Sequence, residues 1–162
     1  MTYREFFIKT IDDELPRFDR VFKALPQGRA DYKPDIKSKT AGELAAYVAA
    51  EASIIENILS KGIIDMTALG QPDSKTIVEA GERFANFMKK AKETSASMSE
   101  TDWSSPAKML AGEKVEWETT KGQMAWSLLL DFIHHRGQLS TYIRPMGGKV
   151  PSIYGPSADT KS

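Results

Sequence analysis

Four stretches of this sequence place apolar residues three and four positions apart, and this spacing is the strongest constraint on the fold. Side chains at that spacing lie along one face of an α-helix, which has 3.6 residues per turn. The stretches cover residues 3–25, residues 40–62, a segment that begins near Asp73 or Ser74, and residues 120–144. Four long amphipathic helices joined by loops predict an all-α four-helix bundle.

Capping and helix-breaking residues set the predicted helix boundaries. Thr40 and Glu43 fit a capping box, in which two free backbone N–H groups at a helix start are satisfied reciprocally. Thr120 and Gln123 repeat the pattern at the start of the last helix. Pro16 lies inside the first segment and is expected to kink or split that helix, because its ring removes a donor and clashes one turn back.

The chain length fits one domain, residues 1–162, which ends in an irregular tail over residues 147–162. Residues 103–119 contain proline and glycine and are interpreted as a loop with at most a short extended piece. The connections after the second and third helices are long enough for a crossover, so the bundle need not follow a simple up-and-down order.

Composition excludes several classes of protein. The 22 lysine and arginine residues equal the 22 aspartate and glutamate residues, so the net charge is zero, which argues against nucleic-acid binding. Cysteine is absent, which excludes disulfides, a thiolate nucleophile and cysteine-held metals. The early charges do not fit a signal peptide, and no apolar run is long enough to span a membrane. A cytoplasmic protein is therefore expected.

Polar residues interrupt the apolar faces of the second and fourth helices. His135 lies on the apolar face of the last helix, and Asp131 lies one turn before it on the same side. His134 points about 100° away from His135 on an ideal helix. In the second helix, Glu51 interrupts the apolar face and Tyr47 precedes it by one turn. These polar groups are expected to face the bundle interior.

Two interpretations of the inward polar groups remain open. Helical bundles build metal sites from inward-facing Glu, Asp and His side chains, and Asp131 and His135 could bind one cation with Glu51 or Tyr47 as a third group. The same aspartate and histidine could also be a hydrogen-bonded structural pair, since pairing reduces the cost of burying either group. The spacing alone does not decide between these interpretations.

Three segments resemble one known family. Residues 134–144, HHRGQLSTYIR, resemble the last-helix signature of the DinB-like (damage-inducible) four-helix-bundle family. Residues 40–47, TAGELAAY, resemble that family's second-helix motif, and residues 148–159, GKVPSIYGPSAD, are similar to the end of many members. The resemblance covers the chain from about residue 33 to its end.

The resemblance implies a bundle with a crossover connection, a homodimer, and a divalent metal such as zinc or nickel held by three histidines. The last of these histidines matches His135. The middle position is occupied by Asp131, which can still coordinate, and the second-helix position by Tyr47, which is a poor ligand for zinc or nickel. Glu51, one turn beyond Tyr47, is the candidate replacement.

Two functions follow as hypotheses, and the sequence leaves open whether the chain is an enzyme. The first is a metal-dependent enzyme of the hydrolase or thiol-transferase class that acts on a small molecule in the bundle cavity. Glu51 would then be a third ligand or a general base, and Tyr47, His134 or Tyr142 could polarise the substrate. The alternative is a metal-free dimer, associated with small-ligand binding or the stress response, in which Asp131 orients His135.

Overall fold

The computed structural model describes residues 1–68 and 74–160. Its helices are α1 (Tyr3–Ala24), α2 (Ala41–Lys61), α3 (Ile77–Ser97), the short α4 (Glu100–Trp103) and α5 (Lys121–Ile143). The four long helices match the four predicted segments. Asp73, one of the two expected starts of the third helix, lies outside the described residues, and α3 begins directly after Thr76. Residues 161 and 162 of the tail are likewise not described.

The helix ends show why these segments are helical. Thr40 caps α2 with both hydrogen bonds of the capping box, and Gly62 ends the helix in the left-handed conformation with φ 72°. At the start of α5, Thr120 accepts from the backbone of Gln123, and the Gln123 side chain accepts from threonine hydroxyl groups. Pro16 neither splits nor ends α1, which is continuous around it.

The long helices pack around one apolar core. Helices α1 and α2 each pack against both α3 and α5. Near the centre, the rings of Phe18 and Phe84 lie 4.3 Å apart and Phe84 meets Phe132 edge-on at 5.7 Å. The packing of α2 against α5 brings together the two helices that carry the inward polar residues.

A small sheet departs from the all-α expectation. Strands β1 (Ile63–Asp65), β2 (Pro106–Ala111) and β3 (Lys114–Thr120) form a sheet in that order, with β1 parallel to β2 and β2 antiparallel to β3. Residues 103–119 were therefore only partly predicted. The alternation of apolar and polar residues that is typical of a strand was visible in the sequence. However, β1 pairs with β2 across more than 40 residues of chain, and no local pattern reveals such pairing.

The C-terminal tail folds back onto α1 and α5. Arg144 forms an ion pair with Asp159 at 2.8 Å, and the Arg17 side chain donates to the carbonyl oxygen of Ile153. The Tyr154 hydroxyl contacts both Arg136 of α5 and Glu14 of α1. Residues 147–160 form no helix or strand, and polar contacts hold them against the two helices.

Gly137, in the middle of α5, is not a point of close helix packing. It is exposed, and a β-carbon built there would have no neighbour within 4 Å. The close approach occurs instead at Gly122, where a β-carbon would overlap the indole ring of Trp103.

Within residues 1–68 and 74–160, no helix has the length and apolar character needed to cross a membrane.

Candidate metal centre

Two turns of helix supply the polar side chains that were predicted to face the interior, although Asp131 lies at the bundle surface and is exposed. Tyr47 and Glu51 lie one turn apart on α2, and Asp131 and His135 lie one turn apart on α5. Each pair projects from one side of its helix because residues four apart are neighbours on a helical surface. Since α2 packs against α5, the two pairs meet.

Three of these residues converge through their ligand atoms. Nε2 of His135 lies 3.2 Å from Oδ2 of Asp131 and 3.8 Å from Oε2 of Glu51. One ligand atom from each residue lies within 4.8 Å of the other two. The structure thus brings together Glu51, Asp131 and His135, so Glu51 does reach the other two residues.

The other ring nitrogen of His135 is held by Gln138. Nδ1 of His135 lies 2.7 Å from Oε1 of Gln138, and Nε2 of Gln138 lies 3.0 Å from Nε2 of His134. If the amide oxygen of Gln138 accepts from His135, then Nδ1 carries the proton and Nε2 presents a lone pair to the two carboxylates. A histidine that donates one N–H to an acceptor and offers its other nitrogen is the usual arrangement for a metal ligand.

Glu51 has a buried carboxylate oxygen that lacks a hydrogen-bond partner in the described part of the chain. Its side chain is 12% exposed, and its Oε2 is the buried side-chain polar atom, among those of the described residues, that lacks a hydrogen-bond partner. Burial raises the pKa of the Glu51 carboxyl above its ordinary value and the charge of Asp131 raises it further, while hydrogen bonding with Tyr47 lowers it. Three acceptor groups thus converge, and one of them, the Glu51 carboxylate, has an oxygen without a hydrogen-bond partner, so the three residues could hold a cation.

Tyr47 lies beside the three converging residues. Its ring meets the His135 ring edge-on at a centroid separation of 5.4 Å, and Nζ of Lys39 lies 5.0 Å from the Tyr47 ring centre. Burial, followed by the hydrogen bond and negative charge of Glu51, raises the pKa of the Tyr47 hydroxyl above its ordinary value. The phenol is therefore neutral near neutral pH, which suits a hydrogen-bond donor better than a metal ligand.

The spacing of the three ligand atoms is close to what one ion requires. Ligand atoms bonded to a zinc-like ion at about 2.0–2.2 Å lie about 3.3–3.6 Å from each other in a tetrahedron. The 3.2 Å contact between His135 and Asp131 is just below this spacing, and the 3.8 Å contact between His135 and Glu51 is slightly above it. The Asp131 side chain is 47% exposed, so solvent and a small molecule can reach the outer side of the cluster.

The other candidate residues lie outside the cluster. His134 is exposed and contacts Gln138, and its ring packs against His135 at a centroid separation of 5.3 Å. The Tyr142 hydroxyl donates to the carbonyl oxygen of Lys39 at 3.2 Å. Gln138 was not assigned to the site from the sequence. It follows His135 by three residues and His134 by four, and this helical spacing was a visible signal.

We expect Glu51→Gln to stabilise the metal-free protein by about 1 kcal/mol near neutral pH, because the variant no longer buries an unpartnered carboxylate. The folded-state pKa of Glu51 is raised, so the folded protein holds more protons than the unfolded chain between the two pKa values. The free energy of unfolding therefore falls as the pH rises from the pKa of Glu51 in the unfolded chain, about 4.3, through its raised pKa in the folded protein. Melting curves of EDTA-treated wild type and variant should differ at pH 7.5 and converge at pH 4.

Comparisons with known proteins identify the family. The DinB family model matches residues 7–161, which is nearly the whole chain. A comparison with curated proteins gives no significant match. The fold is similar to the crystal structure of a DinB-like protein, YjoA, from Bacillus subtilis, with a TM-score of 0.70 and 14% sequence identity over 96% of this chain and 99% of that chain. At that identity the likeness shows the fold, and the match along residues 7–161 shows the family: this chain is a member of the DinB family.

Proposed function

We propose that this chain binds a divalent cation through Glu51, Asp131 and His135 and acts on a small molecule as a metal-dependent enzyme of the hydrolase or thiol-transferase class. The site would be a variant of the three-histidine centre that the family resemblance implies. One histidine is retained, an aspartate replaces the second, and a glutamate one turn further along α2 takes over from Tyr47.

The unpartnered Oε2 of Glu51 carries this proposal. A buried acceptor without a donor lowers the stability of the fold by about 1–3 kcal/mol, so a proton or a cation close to an enclosed carboxylate oxygen would be stabilising. Nε2 of His135 is 3.8 Å away and faces a second carboxylate as well. One bound cation would satisfy all three groups together.

The roles of the surrounding residues follow from their contacts. In such a position a divalent ion supplies Lewis-acid polarisation of a substrate oxygen or a lowered pKa for water. Gln138 holds the His135 ring in orientation through Nδ1. The single hydroxyl hydrogen of Tyr47, which is neutral, would be donated either to Glu51 or to a bound substrate, and the exposed side of Asp131 would be the route of entry.

The donor set bears on which metal is bound. Two carboxylates and one imidazole are harder ligands than three imidazoles, and carboxylates suit manganese as well as zinc or nickel. We therefore expect weaker discrimination in favour of zinc and nickel than a three-histidine site provides.

The proposal predicts one divalent ion per chain in the wild type and a loss of affinity of about 100-fold or more in His135→Ala, because one of three protein ligands is removed. Calorimetric titration of the metal-free protein with zinc, nickel and manganese measures this affinity. His134→Ala is the matched control, since this neighbouring imidazole lies outside the cluster and its loss should change affinity little. Wild type that binds none of the three ions, or equal losses in the two variants, would contradict the proposal.

The alternative function is a metal-free dimer that binds a small ligand or takes part in a stress response. The 3.2 Å contact between Asp131 and His135 favours it, because the pair is already formed by protein atoms. In that case EDTA leaves the melting temperature unchanged, whereas a metal protein is destabilised when its ion is removed.

The fold and assembly that the family resemblance implies are also proposals. We propose that the packing of α1 and α2 against both α3 and α5 is the family's crossover bundle, that the protein is cytoplasmic, and that it forms a homodimer. Exposed apolar side chains support an interface on the α1 and α5 surface, where Phe6 stacks on Trp126 and Leu130 is 58% exposed. We expect sedimentation of the wild type to give the mass of a dimer, and Leu130→Glu to give that of a monomer.

A further inference from the structure

A cavity lies beside the candidate metal centre and is lined in part by Tyr47. It has a volume of about 720 Å³ and lies between the first turns of α2 and α3 and the loop that precedes α2. Its polar lining comes from three lysines and several hydroxyl groups. The volume falls in the range of about 300–1,000 Å³ that is typical of sites for small molecules.

The charge of this cavity is mainly positive. Lys37, Lys39 and Lys75 line it, and none of the three forms an ion pair within 4.0 Å with a carboxylate of residues 1–68 or 74–160. Glu43 also lines the cavity, but its carboxylate is held at the start of α2, where Oε2 accepts from the backbone N–H of Thr40 at 2.7 Å. Three exposed lysines therefore line the cavity, together with one glutamate whose carboxylate is already engaged.

Tyr47 joins the cavity to the candidate metal centre. Its side chain lines the cavity, its ring lies under the Lys39 ammonium, and its ring edge meets His135. Glu51, Asp131 and His135 do not themselves line the cavity, so Tyr47 is the residue that its lining shares with the surroundings of the cluster.

We propose that this cavity binds the anionic end, a carboxylate or a phosphate, of the small molecule whose reacting group lies at Glu51, Asp131 and His135. The proposal rests on the proposed function, because it assigns a substrate class to the same site. The three lysines offset the repulsion that the carboxylates of Glu51 and Asp131 would exert on an anion. An ammonium group that donates to a carboxylate or phosphate forms a strong, charge-assisted hydrogen bond.

The test is a titration of metal-free, ¹⁵N-labelled protein with inorganic phosphate and, separately, with succinate at constant ionic strength. We expect binding in the millimolar range, with shifts at the backbone amides of Ser38, Gly42 and Thr76. Combined Lys39→Gln and Lys75→Gln substitution should weaken it about tenfold or more. Lys89→Gln, an exposed lysine on α3 outside the cavity, should bind as wild type does.

The relative affinities of the two anions distinguish a phosphate from a carboxylate as the anionic group of the substrate. Tighter binding of phosphate assigns a phosphorylated substrate, and tighter binding of succinate assigns a carboxylic acid. Absence of shifts with both anions, or equal affinity in wild type and the double lysine variant, overturns the proposal.

Metal titration and anion titration of the wild type together separate this proposal from the one on which it rests. Anion binding that is lost in the double lysine variant, in a wild type that takes up no metal, would leave the anion site standing and refute the metal-dependent enzyme. A wild type that binds metal but neither anion would refute the anion site and leave the metal-dependent enzyme standing.

Discussion

Glu14→Ala should lower the free energy of unfolding by about 3–5 kcal/mol, because the substitution leaves the Arg136 guanidinium buried without its partner charge. Arg136 is 2% exposed and Glu14 is 6% exposed, and the two form an ion pair between α5 and α1. The Tyr154 hydroxyl lies 2.6 Å from Arg136 and 3.1 Å from Glu14, and Arg17 donates to Glu14 at 3.0 Å. Urea denaturation measures the loss.

The matched control for Glu14 is another acidic residue of α1. Asp12 pairs with Lys92 at 2.6 Å, but both side chains are exposed, so Asp12→Ala should cost less than about 1 kcal/mol. Combined Glu14→Leu and Arg136→Met should be less destabilising than Glu14→Ala, because no buried charge then remains. A Glu14→Ala variant as stable as Asp12→Ala would refute the account of this ion pair.

Gly122→Ala should be the second most damaging substitution, with a loss of about 2–3 kcal/mol from overpacking. The new β-carbon would overlap the indole of Trp103, which is 5% exposed and packs against Phe7 at a ring separation of 5.2 Å. The buried indole contacts both α1 and α5, so it would have to shift from this packing to admit the new β-carbon. Thermal and urea denaturation both report the change.

Gly137→Ala provides the control within the same helix. Its β-carbon would meet nothing within 4 Å, so the variant should gain up to about 1 kcal/mol from the better helix propensity of alanine. The same substitution at two positions of α5 should therefore have opposite signs. Equal changes in stability for Gly122→Ala and Gly137→Ala would show that close packing against Trp103 does not determine the effect of a substitution at Gly122.

The candidate centre was partly visible in the sequence. Helical periodicity placed Asp131 and His135 on one inward face, and the family motif marked His135 and the position of Tyr47. Whether Glu51 reaches them depends on how α2 rotates against α5, and this rotation is set by the packing of both whole helices. The hydrogen bond between Nδ1 of His135 and the amide oxygen of Gln138, which orients the His135 ring, was overlooked, although both residues lie on one turn of the helix.

By itself the sequence determined the four long helices and most of their ends, because caps, breakers and apolar spacing act within a few residues. Only the tertiary structure decided the pairing of β1 with β2, the ion pair between Glu14 and Arg136, and the convergence of Glu51 with His135. Each of these joins residues that are distant in the chain. Their meeting depends on the packing of whole elements, which no local pattern of residues encodes.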